Sequence, residues 1–372
     1  MNNQKNCRLC LNKIYTPPLF SFHNLPEKVQ NFTPIGRSNE IKGIDLDVYQ
    51  CPSCGFIQVL QKPVDYYRDV IRAIAVSPEM REFRIKYFSD FFNKYNLQQR
   101  RIIEIGAGCG EYMELAEKAF PNADIRGIEH KEESCRIAKK NGLNVYEAFI
   151  EDENSSIPDA PYDAFFIMNF LEHIPNPRNF LMGIANNLTE DGYGLVEVPN
   201  GDMIIKNNMY SEFMLEHLSY FTKDTLRLML ETSGFKVLSC EVIWHDYIIC
   251  ATVLKRKTID VSAFNASMNE SLERINSIID GFNGKTIAVW GAGHQALTLL
   301  ALANPRDKIK CVIDSASFKQ NKLTPVTSIP IYSPDYIEKL GITAVVILAG
   351  SYSEEVLKTI NNKYPYVEAI IF

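Results

Sequence analysis

Two Glu-His pairs and two pairs of closely spaced cysteines are the residues of this 372-residue chain best suited to chemistry. There are only six histidines, and three directly follow a glutamate: His130, His173 and His217. Glu172-His173 sits in Asn169-Phe170-Leu171-Glu172-His173-Ile174-Pro175, just after an apolar run that reads as a strand. Glu216-His217 lies in an aromatic stretch with Tyr210, Phe213, Tyr220 and Phe221. A histidine partly withdrawn from water beside a carboxylate can act as a general base near neutral pH. The bland reading is a histidine that caps a turn or is satisfied in the core. His23, His130, His245 and His294 take that reading, His130 because its Glu129 ends an expected strand as a candidate ribose ligand, although His294 lies in a glycine turn where a ligand could touch it.

Cys7-Arg8-Leu9-Cys10 and Cys51-Pro52-Ser53-Cys54 each leave a two-residue gap, which lets both thiolates face one ion. Four thiolates fill a tetrahedral zinc shell and leave no position for water or substrate, so such a zinc is structural. Ordinary buried cysteines are the alternative. A redox pair is disfavoured because neither pair opens a helix after a strand. Between the pairs, Pro17, Pro18, Pro26 and Pro34 mark loops and short strands too small to be stable without a staple.

From residue 100 the pattern alternates strands and helices. The run Ile102-Ile103-Glu104-Ile105 leads into Gly106-Ala107-Gly108-Cys109-Gly110, and a second short strand ends at Glu129, where an acid can accept ribose hydroxyl protons. A dinucleotide site would usually want GxGxxG. The pattern Glu104-x-Gly106-x-Gly108-x-Gly110 instead resembles motif I of class I S-adenosylmethionine (SAM) methyltransferases, with NAD binding or an inert doubly wound domain as alternatives. The resemblance makes Glu104, Gly106, Gly108, Gly110, Glu129 and Asn169 the candidate cofactor residues. Further strands are expected at 144–148, 164–170 and 193–198, with helices at 132–140, 177–188 and 223–233. A hairpin of 235–244 and 247–254 should close the sheet.

Residues 262–282 read as an amphipathic connector whose apolar face has a packing role. A second Rossmann-like start follows: a strand at 285–290, the turn Gly291-Ala292-Gly293-His294, and a strand ending at Asp314. Gly291, Gly293, His294 and Asp314 suit the ribose or pyrophosphate of a nucleotide sugar or of NAD. A structural or dimerising role is the third reading.

Length alone implies more than one domain. With 46% hydrophobic and 23% charged residues the chain can bury sizeable cores. Thirty-nine Lys and Arg against 45 Asp and Glu give −6, without the basic excess that nucleic-acid or anionic-membrane binding requires. No apolar run approaches a membrane span, and the opening Met1-Asn2-Asn3-Gln4-Lys5-Asn6 lacks a secretory core. The expectation is an α/β cytoplasmic protein, its oligomeric state not set by sequence. Three domains are expected: zinc-binding at 1–65, SAM-dependent methyltransferase at 66–260, and Rossmann-like nucleotide-sugar binding at 261–372.

Taken in order, the cysteine pairs, the Glu104 turn, the Asn169 stretch, Glu216-His217-Leu218-Ser219-Tyr220-Phe221 and the Gly291 turn with Asp314 resemble the three-domain, zinc-containing sugar methyltransferases. The best-known members C-methylate 4-keto deoxysugars attached to a nucleotide. The resemblance implies an active site containing His173, Glu216 and His217, with His217 as the base beside the ketone, and a C-terminal domain that helps hold the nucleotide sugar. Two positions depart from the family. Met214 stands where it has a tyrosine, which leaves Tyr210 as the nearby phenol. Its other tyrosine stretch reads Arg72-Ala73-Ile74-Ala75-Val76, so Tyr66 and Tyr67 just upstream become the candidate phenols, Tyr67 first, and Arg72 a candidate for a phosphate or carboxylate. Fewer phenols to stabilise an enolate keep sugar O-methylation open. An NAD-linked oxidoreductase or epimerase using the last domain is the alternative of another class.

Overall fold

The computed structural model describes residues 6–29, 32, 35, 43–69, 77–305 and 307–372. They form two compact units, Met1–Lys257 and Thr258–Phe372. The first unit opens with three antiparallel strands, β1 (Phe20–Pro26), β2 (Gly43–Gln50) and β3 (Ile57–Val59). Cys7, Leu9, Tyr49, Cys51 and Phe56 do not make a core of their own; they bury against Ile103, Phe165, Phe170 and Phe221 of the segment that follows.

Helix α1 (Pro78–Lys94) starts at Pro78 with the Ser77 hydroxyl accepting from the Met80 N–H. Then come β4 (Arg101–Ile105), α2 (Glu111–Ala119), β5 (Asp124–Glu129), α3 (Glu132–Lys140), β6 (Asn144–Glu147), β7 (Tyr162–Met168), α4 (Pro177–Asn186) and β8 (Leu188–Pro199). Strand β8 begins five residues before the expected 193, because Leu188 already pairs with Tyr162. The intervening Glu190-Asp191-Gly192 reads in sequence as a turn that ends a helix.

After α5 (Gly201–Lys206) the two-residue β9 (Ser219–Tyr220) leaves the main sheet and pairs antiparallel with β3. Helix α6 (Lys223–Glu231) is followed by β10 (Phe235–Ile243) and β11 (Ile248–Lys255), the expected antiparallel hairpin. Trp244, His245 and Asp246, all at positive φ, turn its corner. The seven-stranded sheet runs β10-β11-β8-β7-β4-β5-β6. Strands β4 to β8 are parallel to their neighbours, and β11 is antiparallel to β8. The order reverses between β4 and β7, so the crevice beyond their carboxyl ends is where an open α/β sheet binds ligands.

Fully buried Arg84 of α1 donates from Nη1 to Glu197 Oε1 of β8, also fully buried. The carboxylate holds the guanidinium protonated against its burial, which opposes the charge.

The second unit has α7 (Ser262–Gly281), β12 (Ile287–Trp290), α8 (His294–Ala303), β13 (Ile309–Ile313), β14 (Lys322–Leu323), β15 (Pro330–Tyr332), α9 (Tyr336–Lys339), β16 (Ala344–Ile347), α10 (Ser353–Lys363) and β17 (Glu368–Ile371). Its sheet order is β14-β15-β13-β12-β16-β17, parallel except at β14. Helix α7 takes the expected packing role: Ile275, Ile279 and the following Phe282 are core residues of this unit, packed with Val289 and Leu300. No helix among the described residues is long and apolar enough to cross a membrane.

Arg84→Ala leaves the Glu197 carboxylate unpaired in a dry core, so urea unfolding should show a loss of about 3–5 kcal/mol. The double replacement Arg84→Met with Glu197→Leu should recover most of it. A loss below ~1 kcal/mol in the single variant, the value of an exposed pair, would mean that water reaches the pair.

Candidate active site

Strand β4 delivers Glu104 and the glycine turn. Glu104 is buried within the strand, and Gly106, Gly108 and Gly110 all have positive φ (75°, 58° and 92°). At Gly110 a Cβ would also stand 2.1 Å from Leu143 Cδ1, so the entry to α2 admits no side chain. Glu129, at the end of β5, accepts from the Gly108 N–H at 2.9 Å and the Lys131 N–H at 2.9 Å. A recess beside Gly106 and Glu129 is lined by Arg68, Phe149, Ile150 and Phe180. Its walls are apolar with an acid at the edge, and at about 10 Å³ it has room for a single water.

Beyond β7, Asn169 takes a left-handed conformation (φ 52°) and its N–H donates to Glu197 O at 3.1 Å. The chain then makes the 3₁₀ turn Leu171–His173. His173 is 9% exposed, and its Nδ1 lies 2.9 Å from Glu216 O. That carbonyl can only accept, so Nδ1 carries the proton and the Nε2 lone pair is left for other work. The His173 and His217 rings meet edge to face with centroids 4.8 Å apart. One ligand-type atom each of Glu172, His173 and His217 lies within 4.8 Å of the others. The structure thus brings together two Glu-His pairs, with His173 and Glu216 43 positions apart in sequence.

Burial lowers the His173 pKa to about 4, against the pull of the Glu216 carbonyl and carboxylate. Burial, and then the neighbouring His173, push that of His217 well below 6.5. Both imidazoles are therefore neutral near pH 7. Glu216 is buried, and its Oε1 accepts from the Val29 N–H at 2.6 Å and Tyr66 OH at 2.7 Å, while Oε2 has no partner among the described residues.

The phenol that reaches this cluster is Tyr66, not Tyr67. The Tyr67 ring faces Phe149 edge-on at 6.2 Å, beneath the Arg68 guanidinium. Tyr210 lies on the surface, 74% exposed. Tyr220 is the other local phenol, but its OH is taken up by the Met214 N–H at 3.0 Å and two carbonyls, which fixes the loop before Glu216. Arg72 lies outside the described residues.

The four cysteines converge. Cys7 Sγ is 3.6 Å from Cys54 Sγ and Cys10 Sγ is 3.6 Å from Cys51 Sγ, and all four sulfurs lie within 4.8 Å of one another. A disulfide has sulfurs at about 2 Å, whereas four thiolates at about 2.3 Å from one tetrahedral zinc stand about 3.8 Å apart. The donor set fits zinc.

In the second unit Gly291, Gly293, His294 and Asp314 line one cleft of about 770 Å³, with Lys319 and Tyr352. A Cβ at Gly291 (φ 126°) would stand 2.4 Å from Leu348 O. Asp314 accepts from the Ala292 N–H (2.8 Å), Ala316 N–H (2.9 Å) and Lys319 Nζ (2.9 Å). Burial raises its pKa, but these donors outweigh it and hold the carboxyl below its ordinary value.

Residues 79–240 match the family model of a methyltransferase domain, and 256–366 that of a C-methyltransferase C-terminal domain. The C-methyltransferase NovU of Streptomyces niveus is 25% identical over 297 residues, 72% of this chain and 70% of that protein. A ubiquinone biosynthesis O-methyltransferase of Bordetella avium is 33% identical over 95 residues, 24% of this chain and 39% of its own. Among solved structures, the plantazolicin methyltransferase BpumL in complex with SAH matches 49% of this chain and 91% of its own at 18% identity and TM-score 0.38.

With the His173 pKa depressed to about 4 from 6.5, the unfolded chain binds protons that the folded chain does not. Stability should therefore be complete above the free-imidazole pKa and fall as the pH drops through that window, by at most about 1.4 kcal/mol per pH unit per histidine. Unfolding free energies at about pH 7 and about pH 4.5 should differ more for the native protein than for His173→Asn. Equal losses would show that the His173 ring is hydrated.

Proposed function

The chain is a SAM-dependent methyltransferase whose last third is a C-methyltransferase C-terminal domain, and from that premise we propose that it methylates a carbon beside the ketone of a nucleotide-linked sugar in the cytoplasm. The observation that carries this reading is the neutral pair His173 and His217 beside two buried glutamates at the sheet's carboxyl edge. The name of the Streptomyces niveus relative also supports carbon as the acceptor.

SAM supplies an electrophilic methyl group on a sulfonium, so the protein has to align the acceptor and free its electron pair. In this reading Glu129 holds the ribose hydroxyls, the glycine turn and Asn169 hold the methionine end, and Glu104 favours the positive charge. His217 takes the proton from the carbon beside the ketone. The electron pair so released forms the new carbon–carbon bond as the methyl–sulfur bond breaks, and its electrons stay on sulfur. A buried imidazole resists protonation, so Glu172 and the negative charge of the enolate make the transfer feasible. His173, its Nδ1–H fixed on Glu216 O, presents Nε2 toward the same space, and Tyr66 with Glu216 can bind the acceptor's oxygens.

Cys7, Cys10, Cys51 and Cys54 hold zinc in this reading, as a structural ion. The cleft of Gly291, Gly293, His294 and Asp314 takes the nucleotide of the substrate, with the diphosphate at the start of α8 and the ribose on Asp314.

The test is proton exchange. Incubated in deuterated water without SAM, a nucleotide-linked 4-keto deoxysugar should exchange one carbon-bound hydrogen, and His217→Ala should lose both exchange and turnover while still binding SAM. Turnover without exchange would assign O-methylation. Unchanged turnover in His217→Ala would remove that residue as the base, and nicotinamide reduction by the protein would move the chemistry to the second unit.

A further inference from the structure

We propose that Arg8, between the first two cysteines, is a positioning residue that carries the order of the four-cysteine centre to the histidine pair. The inference rests on His217 being the base. All four bonds that the described structure gives Arg8 go to neutral acceptors. Its backbone N–H donates to Gln58 Oε1 at 2.8 Å, Nε to Val59 O at 3.1 Å, Nη1 to Pro175 O at 2.5 Å and Nη2 to Gln61 O at 3.2 Å. Gln58 is fully buried, and its Nε2 donates in turn to Cys7 Sγ at 3.2 Å. One planar fork thus joins the end of β3 to the carbonyl two residues past His173, across 167 positions of sequence.

The other side of the histidine turn is held from the same strand. Val59 N–H donates to Leu218 O at 3.0 Å, and Leu218 N–H donates to Glu172 O at 2.9 Å. His173 is therefore bracketed by Glu172 O on Leu218 and Pro175 O on Arg8, and His217 sits beside the residue that Val59 grips. The 4.8 Å separation of the two rings is set by β3 and Arg8 together. Tied to one ion, the cysteines on either side of Arg8 would further fix a backbone already held by the Gln58 side chain. A lysine cannot fully replace it, because its three N–H donors share one nitrogen, whereas Val59 O, Pro175 O and Gln61 O are each met by a different nitrogen of the guanidinium.

The experiment uses the full-length, zinc-loaded protein and compares Arg8→Ala, Arg8→Lys and His217→Ala. The readouts are kcat and KM with a nucleotide-linked 4-keto deoxysugar, SAM affinity by calorimetry, zinc content, and the imidazole ¹⁵N–¹H spectrum, which reports the His173 Nδ1–H bond without any substrate. Arg8→Ala should keep zinc and bind SAM within about threefold of the native protein, yet lose about 100-fold in kcat, the scale of a ~1 Å misplacement. Its His173 Nδ1–H signal should shift or disappear, and Arg8→Lys should recover only part of each loss. Should Arg8→Ala fail to fold, stripping zinc from the native protein with a chelator should disturb the same imidazole signal.

Native kcat and an unchanged imidazole spectrum in Arg8→Ala, with only a lower melting temperature, would overturn the proposal. So would equal losses in kcat and SAM affinity, which mean general loosening. If Arg8→Ala is active and His217→Ala is dead, this inference alone fails. If His217→Ala is active, the base reading fails first.

Discussion

Leu218 binds two loops at once with its own backbone: its N–H donates to Glu172 and its carbonyl accepts from Val59. That small ladder, extended by the pairing of Ser219 and Tyr220 with Gln58 and Ile57, joins the two Glu-His pairs together with the His173 Nδ1–H bond to Glu216 O. Without it, the 3₁₀ turn after β7 and the loop before β9 would each be free to choose another conformation. The N-terminal strands therefore do more than cover the sheet. They supply the template on which the second histidine is registered against the first.

The electrostatics follow from this enclosure. Two imidazoles with centroids 4.8 Å apart in a buried pocket cannot both carry charge, so burial and mutual repulsion keep them neutral. A neutral imidazole can accept a proton but holds it weakly, which suits a step whose product is an anion formed close by. A carboxylate with one oxygen bound by Tyr66 and the Val29 N–H, and the other buried without a described partner, fits a polar substrate group better than an apolar one. The central sheet contributes the other half of the chemistry by placing the glycine turn of β4 next to the end of β7 in strand order.

Much of this was legible in the residues. The glycine turn, the acid at Glu129, the parallel strands and the closing hairpin follow from patterns of period two and 3.6 with glycine punctuation. The convergence of Cys7, Cys10, Cys51 and Cys54 was readable from spacing. What escaped were features set by distant pairing. Strand β9 is two residues long, too short to show any alternation, and exists because β3 offers it an edge. The choice between Tyr66 and Tyr67 depends on a half-turn of backbone that composition cannot encode. Arg8 gave no signal because its partners are backbone carbonyls. Nothing in the spacing around Arg84 marks it as buried, since only the fold sets it against Glu197.

The central claim is that the histidine pair serves methyl transfer to carbon. The most direct measurement is the NMR spectrum of the product formed from SAM labelled with ¹³C in its methyl group and a nucleotide-linked 4-keto deoxysugar. The account predicts a labelled methyl with a one-bond coupling to a ring carbon. A labelled methyl attached to oxygen would contradict it.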